Sequence, residues 1–184
     1  MPEFLTRKIV VIGPESTGKS TLCRELAEHY HCNWCPEFAR EYLLQHGTDY
    51  SFDDLLTIAR GQLQLEDEYL RKAHSQGHPF LFIDTDMYVM KVWCEFVFGK
   101  CHSLILENIS QRKYDLYLLC NTDLPWVKDE LREYPDLETR QRLYTIYRQL
   151  MENQEVPWVD INGSYSGRRK KAIAAVDGLP TISS

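Results

Sequence analysis

The 184-residue chain contains no stretch approaching the roughly 18 apolar residues that cross a bilayer, which excludes a membrane-spanning helix. Its start, MPEFLTRKIVVIG, runs straight into a strand pattern without the charged-then-apolar opening of a secretory leader. Basic excess is missing too. Lys and Arg number 21 against 27 Asp and Glu, a net charge of -6, so the broad basic face that reads nucleic acid is excluded and any anion site must be local. The six cysteines, at 23, 32, 35, 94, 101 and 120, form no pairing framework and lie mostly in apolar stretches, as reduced thiols of a cytoplasmic protein do. His29, His31, Cys32 and Cys35 crowd together, but structural zinc usually takes ligands from two separated segments, and residues three apart on a strand face opposite ways. Internal repeats are absent.

What the chain does have is apolar sequence in short, regularly spaced runs. KIVVIG (8–13), CNWCP (32–36), FLFID (80–84), DLYLLCN (115–121) and VPWVDIN (156–162) read as five strands, the longer ones buried on both faces. Helical periods fill the spaces: 19–30, a stretch closing at Gly47, a long helix from Ser51 to about Gly77, 87–98, one running to about Asn153, and 166–177. Strands separated by helices predict an α/β fold with a doubly wound, parallel five-stranded sheet.

The first strand runs into GPESTGKST. Gly13, Gly18, Lys19 and Ser20 match G-x-x-x-x-G-K-S between a strand and a helix, where backbone N–H groups and a helix N-terminus face an anion. Gly13, Glu15, Ser16, Thr17, Gly18, Lys19, Ser20 and Thr21 are therefore the expected ATP loop. Lys19 would bridge β- and γ-phosphates, and Ser20 would ligate Mg2+ together with Asp84, which ends the strand FLFID. Asp86 opens the next helix, either as its N-cap or as a ligand of a substrate hydroxyl. Glu37 follows the second strand at the same sheet edge, placed to accept a proton from an attacking hydroxyl. Arg40, one turn on, is a substrate or phosphate contact or else solvated helix surface.

The polar, proline-broken segment at about 121–142 carries Lys128, Arg132, Arg140 and Arg142, the composition of a closing lid that neutralises charge in phosphoryl transfer. One P-loop kinase domain is expected over 1–178, and a loose tail over 179–184. The guanine-reading N-K-x-D is missing, because the fourth strand is followed by Asn121-Thr122-Asp123, so a GTP switch is disfavoured; one short domain leaves little room for the oligomerising parts of a motor ATPase.

GPESTGKST, Pro36-Glu37-Phe38-Ala39-Arg40-Glu41, Phe82-Ile83-Asp84-Thr85-Asp86 and the segment from Asn121 to Arg132 together resemble the nicotinamide riboside kinase domain of NadR-type proteins, from the first strand to the last helix. The resemblance implies ATP- and Mg2+-dependent phosphorylation of the 5′-hydroxyl of nicotinamide riboside, for NAD salvage. It assigns Glu37, Asp84 and Asp86 to the transferring group and ribose, and Trp126 and Arg132 to the lid, with Trp126 also expected at the substrate. Relatives commonly carry an aromatic residue just before the glutamate matching Glu37; Pro36 stands there, with Trp34 two residues before it. Phe38, Trp34, Tyr88 and Trp93 are the candidates to stack on the pyridinium, Tyr88 foremost because it adjoins the DTD turn. With residues 1–7 alone before the first strand, the chain is expected to make the mononucleotide without adenylating it. A kinase for another nucleoside or small molecule, and an ATP-binding regulatory module that transfers nothing, stay open.

Overall fold

The computed structural model describes residues 5–180, so most of the expected 179–184 tail lies outside the described residues. Five strands, β1 (Arg7–Ile12), β2 (Asn33–Cys35), β3 (Phe80–Asp84), β4 (Leu116–Cys120) and β5 (Trp158–Ile161), pair in the order β2-β3-β1-β4-β5, every pair parallel. The helices are α1 (Lys19–Tyr30), α2 (Phe38–His46), α3 (Phe52–Ser75), α4 (Met87–Phe98), α5 (Ser103–Gln111), α6 (Leu137–Glu152) and α7 (Tyr165–Asp177). The doubly wound α/β fold expected from the strand and helix pattern is the one observed.

Strand alternation builds two cores. Ile9, Val11, Phe82 and Leu118 point toward α1 and α7, while Val10, Ile12, Ile83 and Leu119 point toward α3, α4 and α6. Because both faces are covered, these strands read as continuous apolar runs. A third cluster, including Leu43, Ile58, Met90 and Ile105, packs α2, α3, α4 and α5 together.

Helix α5 is absent from the sequence expectations. Its nine residues bury only Ile105 fully, too little to imprint a helical period.

Since every strand runs the same way, their carboxyl ends share one edge. Val11 pairs with Asp84 there, so the phosphate loop after β1 and the DTD turn after β3 are neighbours by register. Two glycines make the loop possible. At Gly13, with φ 142, a Cβ would stand 2.6 Å from the Cys120 carbonyl oxygen, and Gly18, with φ 80, turns left-handed into α1.

Candidate active site

The loop, the β2–α2 junction, α4 and the 129–134 segment enclose a cavity of about 480 Å³. Gly13 through Thr21 form one wall. Lys19 Nζ donates to the Pro14 carbonyl at 2.8 Å, and Thr17 Oγ1 donates to the same oxygen at 2.7 Å, which holds the loop curled with its lysine turned inward. Ser20 Oγ donates to Asp84 Oδ2 at 2.5 Å. The other oxygen of Asp84, Oδ1, is buried without a partner, and the carboxyl is 1% exposed. Burial raises its affinity for a proton, while Lys19 and the Ser20 hydroxyl work against that rise. A hydroxyl beside a carboxylate with an unused oxygen, next to a phosphate loop, is the oxygen donor set that suits magnesium, which takes one or two protein oxygens and leaves its other positions to water and phosphate. Among the described residues no cluster of three or more His, Cys, Asp or Glu forms a self-sufficient metal cage.

Glu37 also lines the cavity. Burial first, and the Asp84 charge second, push its carboxyl up to about 7, against the pull of Lys19 and Arg40. Arg40 lines the same space and forms a two-pronged ion pair with Asp129, at 3.3 and 3.0 Å. Arg132 lines it too, with Nη1 donating to the Val127 carbonyl.

Much of the remaining lining is apolar and aromatic: Trp34, Pro36, Trp93, Phe96, Tyr134 and Tyr147, among others. Trp93 Nε1 donates to Tyr50 Oη at 2.8 Å, and Phe96 meets Tyr134 edge-on with centroids 5.5 Å apart. These contacts fix the rings as a preformed surface.

Four residues expected at the substrate do not line this cavity. Asp86 is 2% exposed and off the cavity wall; it caps α4 by accepting from Tyr88 N at 2.9 Å and also accepts from Tyr117 Oη at 2.8 Å. Thr85, left-handed at φ 71, turns the chain so that Asp86 reaches that cap. Tyr88 packs edge-on against Tyr117 at 5.8 Å, away from the cavity, because it sits one position off the α4 face made by Val89, Val92, Trp93 and Phe96. Phe38, the first residue of α2, packs its ring against α3, where a Cβ at Gly61 would come within 2.2 Å of it. Trp126 is partly buried outside the cavity.

The 121–142 segment is tied to the phosphate loop. Glu15 accepts from the backbone N–H of Glu133, at 3.0 Å, and of Tyr134, while Ser16 Oγ accepts from Val127 N at 2.9 Å. Arg140, 2% exposed, donates to the carbonyls of Ser16 and Leu124 at 3.3 and 3.4 Å. Arg142 lies over the Phe96 ring at 5.5 Å, and Lys128 is exposed. One residue was missed altogether. Arg168, 3% exposed, donates to the carbonyls of Thr17, Asn121 and Gly163 at 2.8 to 2.9 Å and to Asp123, bracing the loop from behind. Within GRRKK no local signal separates it from its solvated neighbours.

A parallel α/β sheet with this loop at its carboxyl edge defines a P-loop nucleotide-binding protein. A family model described as AAA domain (AAA_28) matches residues 8–168, and the chain belongs to that family. Over 178 residues, 94% of its length, the chain is 28% identical to the trifunctional NAD biosynthesis/regulator protein NadR of Salmonella typhimurium, of which it spans 42%. A crystal structure of a NadR protein in complex with NAD and AMP-PNP superposes with a TM-score of 0.76 at 25% identity, over 97% of this chain and 51% of that one. A NadR protein in complex with NR shares the fold, with a TM-score of 0.77 at 22% identity over 97% and 52%. Among the described residues no helix is long and apolar enough to cross a membrane.

Proposed function

We propose that this chain is a kinase that moves the γ-phosphoryl group of ATP to the 5′-hydroxyl of nicotinamide riboside, giving nicotinamide mononucleotide and ADP. One observation carries the reading: a single cavity joins the phosphate loop to an aromatic wall, with the Glu37 carboxyl on its lining. The likeness to NadR proteins, one of them solved with NAD and the ATP analogue AMP-PNP, supports the choice of nucleotide and acceptor.

The hydroxyl oxygen bonds to the γ-phosphorus as the bond from that phosphorus to the β–γ bridging oxygen breaks. Its proton passes to the Glu37 carboxylate. Positioning and charge supply most of the acceleration in such transfers, and Lys19 with the loop amides holds the phosphates in place. A magnesium ion, held by Ser20 and Asp84, would screen the β- and γ-phosphate charge. Arg40 and Arg132, which line the cavity with Lys19, are the further cations offered to the charge on the transferring group, and the 121–142 segment is the lid that excludes water. Trp34, Trp93, Phe96 or Tyr134 offers the cationic pyridinium an aromatic face, a contact worth about 0.5 to 2 kcal/mol. The six free thiols fit a cytoplasmic enzyme.

ADP release from ATP and magnesium, measured across nicotinamide riboside, purine and pyrimidine nucleosides and no acceptor, with mass detection of product, tests this. A monophosphate from nicotinamide riboside is the expected result. Preference for another nucleoside overturns the acceptor assignment, and ADP release that ignores acceptors means that the phosphoryl group goes to water, leaving a nucleotide-binding module that phosphorylates no nucleoside.

A further inference from the structure

Glu37 stands at the N-cap of α2 without capping it, as Gly18 and His102 stand at α1 and α5. Helices α3, α4, α6 and α7 are each capped by their own N-cap side chain, from Ser51, Asp86, Asp136 and Ser164. At α2 the N-cap is Glu37, and its side chain makes no cap bond. The orphan N–H of Phe38 is satisfied from another helix instead: Gln62 Oε1, on α3, accepts it at 2.8 Å. The Nε2 of the same amide donates to the Pro36 carbonyl at 3.5 Å and to Cys35 Sγ at 3.7 Å.

One side chain, 2% exposed, thus grips the backbone on both sides of Glu37. Its neighbour completes the seat. Gly61 lets the Phe38 ring rest directly on the α3 backbone, where any Cβ would collide with it.

Resting on the kinase reading above, we infer that Gln62 is a positioning residue for the Glu37 carboxyl. It takes over the capping of α2, leaves the carboxylate unclaimed, and fixes the chain at Pro36 and Phe38 so that the acid faces the cavity. A buried amide gripping two backbone groups, with no ligand contact of its own, acts through geometry, and a misplacement of about 1 Å in such a site lowers turnover about 100-fold.

The test compares wild type, Gln62→Met, Gln62→Glu, Glu37→Gln and the double variant Glu37→Gln/Gln62→Met as full chains. Expected for Gln62→Met is a kcat about 10- to 100-fold lower with ATP Kd within about twofold. Gln62→Glu keeps an acceptor for the Phe38 N–H and should recover most of the rate. Because Gln62 acts through Glu37, the double variant should be no slower than Glu37→Gln alone. Unchanged kcat in Gln62→Met, losses that multiply in the double variant, or ATP affinity falling in step with kcat would each overturn the inference. A crystal structure of Gln62→Met provides a readout without substrate: Glu37 displaced by about 1 Å or more supports it, and Glu37 in place refutes it. Should wild type phosphorylate no nucleoside, the kinase reading fails, and that crystal structure alone decides the role of Gln62.

Discussion

Glu37→Gln should make the protein more stable above neutral pH while removing its turnover. The carboxyl sits at about 7, against an ordinary 4.5, chiefly because burial disfavours its charge and next because Asp84 repels it. A folded-state value above the unfolded one means that the folded chain binds this proton more tightly. Its contribution is therefore most favourable below about 4.5 and is lost as pH rises through about 7. At about 1.36 kcal/mol per pH unit the whole gap amounts to about 3 kcal/mol, and about 2 kcal/mol of it falls between pH 5 and pH 8. The amide of glutamine has no such titration. Removing the Glu37 charge also relieves Asp84, which acts in the same direction. Urea unfolding of wild type and variant without nucleotide, at pH 5 and pH 8, measures the effect: the stability of the variant relative to wild type should grow by about 2 kcal/mol between the two. Growth below about 0.5 kcal/mol would mean a solvated carboxyl of ordinary affinity, and would remove the physical basis for a base that works near neutrality.

Lys19→Ala should abolish turnover in a protein that still melts cooperatively; persistent activity would place the phosphates elsewhere. Gly13→Ala forces a Cβ to 2.6 Å from the Cys120 carbonyl at a positive φ and should destabilise by more than about 1 kcal/mol, read as a lower melting temperature. Glu15→Ala frees the N–H groups of Glu133 and Tyr134, so their amide exchange should quicken about tenfold, and unchanged protection would mean the 121–142 segment is held by other contacts. Asp86→Ala loses the α4 cap and strands the Tyr117 hydroxyl, costing about 2 kcal/mol or more of stability, whereas ATP affinity in the folded variant should stay within about twofold.

Strand positions and the phosphate loop were legible because their causes are local. A strand buried on both faces writes a continuous apolar run, and the loop writes its glycines, lysine and hydroxyl into eight residues. The aromatic wall was less legible, since α4 is apolar on most sides and only its packing decides which side meets the cavity. A trace existed nonetheless: Val89, Val92, Trp93 and Phe96 fall at i, i+3, i+4 and i+7, one helical face, and Tyr88 falls off it. Arg168 left no trace, and Arg140, visible only as one of the lid arginines, gave no sign of the bonds that bury it. Apart from the Asp123 carboxylate that Arg168 also meets, their partners are backbone carbonyls, which no side-chain pattern announces.

The two acids that open helices at the sheet edge show where a finer reading was available. Asp86 and Glu37 each follow a strand and precede a helix, so both stood as candidates for the reacting centre. Aspartate is short enough to fold back on the first-turn amides and is among the preferred N-caps; glutamate, one methylene longer, is not. On that ground alone Asp86 belongs to its helix and Glu37 to the cavity, as the cap bond of Asp86 and the lining position of Glu37 record. The same rule leaves α2 without a cap of its own, and Gln62 supplies an acceptor for the Phe38 N–H from 24 residues away. The freedom of the Glu37 carboxyl and the burial of the Gln62 amide are therefore one design, and neither follows from the residues around it taken singly.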